Sequence, residues 1–378
     1  MRFNKFKSGK TVDFKGVNCF IPNTIISEID FTDNEIDLLL SKASWYLGKL
    51  NALSNYLPDT QLFFSMLMFQ EAKKSNEIEG TMTEMKGVGD PIAESKYQPE
   101  NKKVLNYLDA FNYGVEYLKS NEFTEELINE LHIKLFKDID NKTLKAGKYK
   151  EEQNWVGGAT KYDARFIPPP PKETKRLMDD LIDFMNDDEL EMADLIKIGI
   201  IHYQFETIHP FNDGNGRLGR MLVGLYLIKK QIIEHPLFIS NFLSRYRREY
   251  YFNLDSVRYK NEMEQWIKFF LIAIKEATKD TLLILDRVIT LKKEVEQKIL
   301  KEFKGSSTFP IQIMKMLYKT PFITSTECTK EIGFSVATAN TILKSLEKLG
   351  IIEEITKQKR NKVYLFEEYL KIFKNELT

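Results

Sequence analysis

Little in this chain of 378 residues suits covalent cross-linking or metal caging. It holds two cysteines, Cys19 and Cys328, and four histidines. Two distant cysteines cannot staple a fold, and no Cys/His spacing of the zinc type occurs. An excess of one charge sign is missing too. Lys+Arg and Asp+Glu each number 55, so the formal net charge is zero. That excludes a uniformly basic coat for nucleic acid and leaves room only for a local basic patch. Long apolar runs are absent. The longest, such as 269–274, fall far short of the roughly 20 residues of a membrane span, so no membrane partner is expected. The opening MRFNKFKSGKTVDF lacks the apolar stretch of a signal peptide. The expected location is the cytoplasm.

What remains is globular. Hydrophobic residues make up 43% and charged residues 29%, with 26 Phe and 17 Tyr to fill a core. At about 150 residues per domain, two or three domains are expected. Helical periodicity dominates. After an extended start at 24–30, helices are expected at 33–50, 59–79, 101–118 and 123–139, the last with Thr124 as N-cap. The stretch 147–171 reads GKYKEEQNWVGGATKYDARFIPPPP. Val156, Phe166 and Ile167 suggest a short hairpin or flap, closed by prolines that fit neither a helix interior nor a central strand. Helices follow at 173–186, 189–205, 215–230, 240–256, 262–277 and 281–303. Past a Gly-Ser-Ser linker, helices at 310–318, 325–332 and 335–349 precede two short strands, 351–355 and 362–365, around the polar tip 357–361. That is the pattern of a winged helix. The expected domains are 1–118, 119–278, a connecting helix 279–304, and 305–378.

One segment concentrates the chemistry: His209-Pro-Phe-Asn-Asp-Gly-Asn-Gly-Arg-Leu-Gly-Arg220. Gly214 and Gly216 leave backbone N–H groups unobstructed just before a helix whose N-terminus carries a partial positive charge. Arg217 and Arg220 project from its first turns. Together they form an anion cradle sized for several phosphates. Asp213 supplies a carboxylate suited to Mg²⁺ shared with phosphate oxygens. His209, an imidazole titrating near neutrality, is placed to accept a proton from an attacking hydroxyl.

This run resembles the signature loop of Fic-domain proteins, HxFx[D/E]GNGRxxR, with every defined position filled. The likeness extends over roughly 123–273. It implies a mainly α fold: a Fic-type helical core with a β-hairpin flap, a helical N-terminal domain and a C-terminal winged helix-turn-helix. It implies a nucleotidyltransferase that moves AMP from ATP, with Mg²⁺, to a hydroxyl side chain of a protein, itself included. By the same resemblance His209 is the base, Phe211 anchors the loop and Asp213 holds Mg²⁺. Gly214, Asn215, Gly216 and Arg217 hold the α- and β-phosphates, and Arg220 reaches the γ-phosphate. Val156, Gly157, Gly158 and Ala159 of the flap edge the nucleotide site and present main-chain groups to a target segment lying as an added strand. Tyr250 and Tyr251 match positions lining the nucleoside pocket, against the plainer reading of two aromatics on a helix seam. Doc-type kinases carry Lys where this chain has Gly216, so AMP transfer is favoured over phosphoryl transfer.

A second motif, SNEIEG, places Ser75 and Glu79 on one helix face just before Gly80. Read plainly, it is a helix end with a glycine C-cap. It also resembles the [S/T]xxxE[G/N] inhibitory motif of Fic proteins, which implies that Glu79 pairs with Arg220 and disturbs the γ-phosphate. In the last domain Lys344, Lys348, Lys357, Lys359, Arg360 and Lys362 leave open DNA binding or protein contact. Many Fic proteins dimerise, which leaves a homodimer open. The alternative functions are a DNA-binding regulator whose Fic core only senses nucleotide, and phosphoryl or other nucleotidyl transfer on the same scaffold. His132, His202 and His235 are read as structural, and Cys328 as a small buried residue.

Overall fold

The computed structural model describes residues 6–25, 33–79, 99–139, 145–356 and 362–374. The described residues fall into two compact units. One lies within Met1–Lys49, Met68–Thr83 and Gln98–Thr278, the other within Leu50–Leu67, Glu84–Tyr97 and Lys279–Thr378. Among the described residues no helix is long and apolar enough to cross a membrane.

In the first unit, two helices are buried on every side. From Leu195 onward, every residue of α6 (Asp194–Ile208) is buried, as is α7 (Asn215–Lys229) through Leu227. A helix that is apolar all round belongs at the centre of a core, and α6 and α7 pack against each other there. Around them lie α3 (Pro99–Leu118), α4 (Glu125–Leu135) and α5 (Pro171–Asn186), with α3 against α4 and α7, and α5 against α6. Farther along come α8 (Ser240–Arg245), α9 (Arg247–Lys260) and α10 (Met263–Phe303). Trp266 of α10 is fully buried and donates its indole N–H to the Gly199 carbonyl at 2.8 Å. Before α3 come α1 (Asn34–Ser54) and α2 (Thr60–Ile78).

Local chemistry accounts for several departures from the periodicity. The N-terminus forms a hairpin, β1 (Gly9–Phe14) and β2 (Val17–Pro22), where only an extended start was expected farther on. Lys15 and Gly16 both have positive φ, 54° and 78°, the requirement of a two-residue type I′ turn. Thr124 caps α4 as expected, accepting from the Leu127 N–H. α6 starts at Asp194 rather than 189, because the Asp187 carboxylate accepts from the N–H groups of Glu189 and Leu190 and holds a turn there. The stretch 240–256 is two helices, broken at Tyr246. The stretches 262–277 and 281–303 are one helix, within which the Thr278 hydroxyl donates to the Ile274 carbonyl at 2.7 Å.

The second unit contains a winged helix: α11 (Thr308–Lys319), β3 (Phe322–Thr324), α12 (Ser325–Ile332), α13 (Val336–Lys348), β4 (Glu353–Glu354) and β5 (Val363–Leu365). Its sheet runs β3-β5-β4, all antiparallel. The strand β3 and the final helix α14 (Glu367–Lys374) were not legible in the pattern, and the two wing strands are shorter than it suggested. The wing tip with Lys357, Lys359 and Arg360 lies outside the described residues. Lys362 is paired with Glu354. Thr324 and Glu327 form a reciprocal capping box at α12. Thr324→Ala removes the acceptor for the Glu327 N–H, at a cost of about 1 kcal/mol. Hydrogen exchange should show the α12 amides roughly fivefold less protected.

Candidate active site

The site is the loop that joins α6 to α7. His209 ends α6 in the left-handed region, with φ 50° and ψ 61°, and its N–H bonds the Phe205 carbonyl at 2.9 Å. For a non-glycine residue that conformation costs about 1–2 kcal/mol and persists only where surroundings enforce it. Gly214, with φ 80°, is the N-cap of α7. It has no side chain to satisfy the free amides of the first turn, so those N–H groups stay open to an outside anion. Next to Gly214, Asn215, the first residue of α7, turns its side chain back on the loop. It accepts from the Phe211 N–H at 2.9 Å and donates to the Phe211 carbonyl at 2.7 Å. Phe211 is fully buried, its ring stacked on His132 at 3.9 Å and 11°.

The His209 ring is half-buried. Burial, reinforced by the charges of Lys150 and Arg258, pushes its pKa down to about 3. The imidazole is therefore neutral at physiological pH, the form that accepts a proton. Its Nδ1 is buried without a well-formed hydrogen bond, and the Glu206 carbonyl pulls weakly the other way. Asp213 turns its carboxylate outward, 54% exposed. One of its oxygens accepts from the Gly214 N–H at 2.6 Å and from the Arg217 guanidinium at 3.4 Å. Arg217 is almost wholly buried over the Phe136 ring, and among the described residues its Nε has no partner. A buried guanidinium nitrogen left open beside an uncapped helix N-terminus suits an oxyanion.

Arg220 lies a turn further along and is 2% exposed. Its Nε donates to the Ser75 hydroxyl at 2.9 Å, and its Nη2 to the Ser75 carbonyl at 2.8 Å and to Glu79 Oε1 at 2.9 Å. Burial works against the charge, but Glu79, Tyr250 and Glu206 together hold the guanidinium above its ordinary pKa. The Glu79 carboxylate rests on the bare backbone of Gly216. A Cβ there would overlap Glu79 Oε1 and approach Arg220 Nη1 to 2.9 Å. Ser75 and Glu79 thus meet Arg220 through contacts 145 and 141 positions apart in sequence. Gly80 lies outside the described residues.

The flap closes through one antiparallel bridge, Val156 with Phe166. Gly157 and Gly158 beyond it take φ of 71° and 74°, and the Asp163 carboxylate accepts from the N–H groups of Ala159 and Thr160. Its base is tied to β2, because the Phe20 N–H bonds the Ile167 carbonyl at 2.9 Å. The two tyrosines of α9 part company. Tyr250 is a core residue, 1% exposed, with its hydroxyl 2.9 Å from His202 Nε2. Tyr251 is half-buried between Arg165 and Arg247, whose guanidinium carbons lie 5.1 and 5.7 Å from its ring centre.

Several members of the site carried no sequence signal as such. His132 donates from Nε2 to the Asp213 carbonyl at 2.9 Å and accepts from the Gly147 N–H at Nδ1. Burial holds its pKa down at about 4, so this neutral tautomer is fixed. Glu206 is buried beside Gly219, its Oε1 unpaired among the described residues, and burial raises its pKa to about 7. Lys150 and Asn154 bond the backbone of the loop from below. Partner-seeking of this kind is written in tertiary proximity, not in spacing.

The comparisons agree with this architecture. Residues 122–227 match the model of the Fic/DOC family, residues 38–116 that of the Fic/DOC family N-terminal region, and residues 308–353 a winged helix-turn-helix DNA-binding model. The protein adenylyltransferase fic-1 of Caenorhabditis elegans is 31% identical over 109 residues, 29% of this chain and 20% of its own. The protein adenylyltransferase Fic of Nematostella vectensis is 28% identical over 211 residues, 53% of this chain and 45% of its own. The chain thus spans less than half the length of these curated relatives. A Fic family protein from Desulfovibrio desulfuricans G20 shares the fold with a TM-score of 0.58 at 19% identity, over 89% of this chain and 97% of that one. With the signature loop assembled between two buried helices, the chain carries a Fic/DOC-family domain, preceded by the family's N-terminal region and followed by a winged helix-turn-helix.

Proposed function

We propose that this chain is a protein adenylyltransferase, restrained by Glu79. The observation that carries the reading is a neutral imidazole, His209, set beside an uncapped helix N-terminus flanked by two buried arginines. Such a site takes a polyphosphate and, next to it, a hydroxyl nucleophile. The residues fit ATP and Mg²⁺. Gly216 offers a face that a side chain would fill, Arg217 Nε lacks a partner, and Asp213 presents a half-exposed carboxylate of the hard-oxygen kind Mg²⁺ prefers. Bound there, Mg²⁺ would neutralise phosphate charge. His209 takes the proton of the target hydroxyl as its oxygen bonds the α-phosphorus. The bond from that phosphorus to the bridging oxygen breaks, and pyrophosphate leaves. The α7 amides and Arg217 hold the phosphates in line. The relatives' names, protein adenylyltransferases, support the same reaction. A hydroxyl of a separate protein, or of this chain, is the acceptor. The match of residues 308–353 to a DNA-binding model favours a second role for the winged helix, in DNA contact.

His209→Ala should lower AMP transfer by about 10²–10⁴-fold while leaving ATP affinity within a factor of two or so. Radiolabelled ATP with calorimetric binding separates the two, and unchanged turnover would remove the mechanism. Label at the α-phosphate must stay on protein, whereas retained γ-label would mean phosphoryl transfer.

Asp213→Ala should weaken Mg²⁺-dependent ATP binding and slow transfer at least about tenfold. A titration in which variant and wild type share one Mg²⁺ dependence would reduce Asp213 to a loop-shaping residue.

Glu79→Gly should raise the transfer rate by about 10–100-fold, because Arg220 is freed to hold the terminal phosphate and misalignment costs rate more than affinity. Arg220→Ala should give no such gain. A folded Glu79→Gly protein, verified by circular dichroism, with transfer at or below wild type would contradict the restraint.

A further inference from the structure

The loop carrying His209 turns four consecutive carbonyls toward one short segment, and two residues of that segment take all of them. The Lys150 ammonium donates to the Ile208 carbonyl at 3.0 Å and to the His209 carbonyl at 3.1 Å. Its backbone N–H donates to the Pro210 carbonyl at 2.8 Å. The Asn154 amide donates to the His209 carbonyl at 2.9 Å and the Phe211 carbonyl at 2.8 Å. A further bond, Lys150 Nζ to Asn154 Oδ1 at 3.0 Å, locks the two together. Lys150 is 3% exposed and Asn154 8%.

This is an unusual use of a lysine. A buried ammonium ordinarily needs an anion, yet the three bonds of Lys150 Nζ all go to uncharged carbonyl oxygens. Two of these belong to the C-terminal end of α6, where the carbonyl dipoles converge and a cation is welcome. Asn154 lies just before the flap bridge at Val156. One short segment therefore spans from the base to the flap.

We propose that Lys150 and Asn154 form a clamp that positions His209, holding the left-handed turn at its backbone and setting the flap against it. Both are positioning residues. Neither touches the reacting atoms, and both act through the backbone of the loop. The charge of Lys150 also faces the imidazole, together with Arg258, and opposes its protonation; the Glu206 carbonyl favours it. Burial pushes the pKa of Lys150 itself down to about 7, Cys19 of β2 pulls weakly the other way, and the three carbonyl oxygens on Nζ favour the charged form.

The proposal rests on His209 being the base of the transfer, so its test has one arm that needs no turnover. In a Glu79→Gly background, Lys150→Met should lower kcat for AMP transfer by about 10–100-fold, with the KM for ATP changed less than about twofold. Lys150→Arg, which keeps charge and donors, should recover most of the rate. By NMR of ring-labelled histidine, with His209→Ala as the assignment control, the His209 signal of Lys150→Met should shift at neutral pH. It should also begin to titrate at a higher pH than in the parent. Should Lys150→Met not fold, Asn154→Ala takes its place: it deletes the donors to His209 and Phe211, keeps the charge, and should lower kcat and move the His209 signal. A folded variant with unchanged kcat, or with an unmoved His209 signal, overturns the clamp. If the Glu79→Gly parent transfers no AMP at all, the transfer reading fails by itself, and the NMR arm alone decides the clamp.

Discussion

The guanidinium of Arg220 governs this site. It is a full positive charge taken out of water, and such a charge is tolerated only where hydrogen-bond acceptors and a counter-ion converge on it. Here they come from one face of α2: two oxygens of Ser75 and one of Glu79. Glu206 stands nearby but is itself buried, and burial raises its pKa to about 7, so the carboxylate paired with Arg220 is that of Glu79, at 2.9 Å. The end of α2 is thereby drawn over the first turn of α7. The bare backbone at Gly216 leaves just enough room for its carboxylate. A single electrostatic need thus fixes which helix covers the first turn of α7.

Beneath it the loop is held by hydrogen bonds to its own backbone. His132 grips the Asp213 carbonyl while stacking on Phe211, Asn215 folds back on the same phenylalanine, and the clamp holds the turn at His209. Each bond satisfies a carbonyl or amide that the irregular backbone would otherwise leave unpaired in a dry interior, where an orphan costs about 1–3 kcal/mol. The strained φ at His209 is affordable because several such bonds fail together if it relaxes. Preorganisation of this sort is what a loop must supply when reacting atoms are to be aligned before the reaction begins.

Much of this was readable in the sequence, for reasons that differ by residue. Gly214 and Gly216 announce a backbone that other residues could not adopt or would crowd. Arg217 and Arg220 announce an anion, and the spacing of Ser75 and Glu79 puts both on one helical face. Those are local facts, and local facts survive in a one-dimensional string. The fold class was legible likewise, because helical periodicity and the turn-rich flap are local. The roles of Lys150, Asn154 and His132 were not, since a lysine that binds three carbonyls reads like any other lysine until the chain has folded. Tyr250 differs from the residue beside it for a geometric reason. Its neighbour Tyr251 is half-exposed, but a step of one residue along a helix turns the side chain by about 100°, and Tyr250 faces inward to His202. The hairpin at Gly9–Pro22 was overlooked because its turn is Lys-Gly rather than the stronger Asn-Gly or Asp-Gly signal.

The distance along the chain between Ser75 and Arg220, 145 positions, has a consequence for how the molecule assembles. Contacts that close so long a loop are slow to form and tend to come late. During synthesis α2 leaves the ribosome well before α7, so Ser75 and Glu79 are already present when Arg220 emerges. A charge that cannot be buried alone then finds its partner in the same chain, at high effective concentration and in the same event that packs α7 into the core. The pairing of Ser75 and Glu79 with Arg220 therefore needs no second molecule, since all three residues belong to one chain.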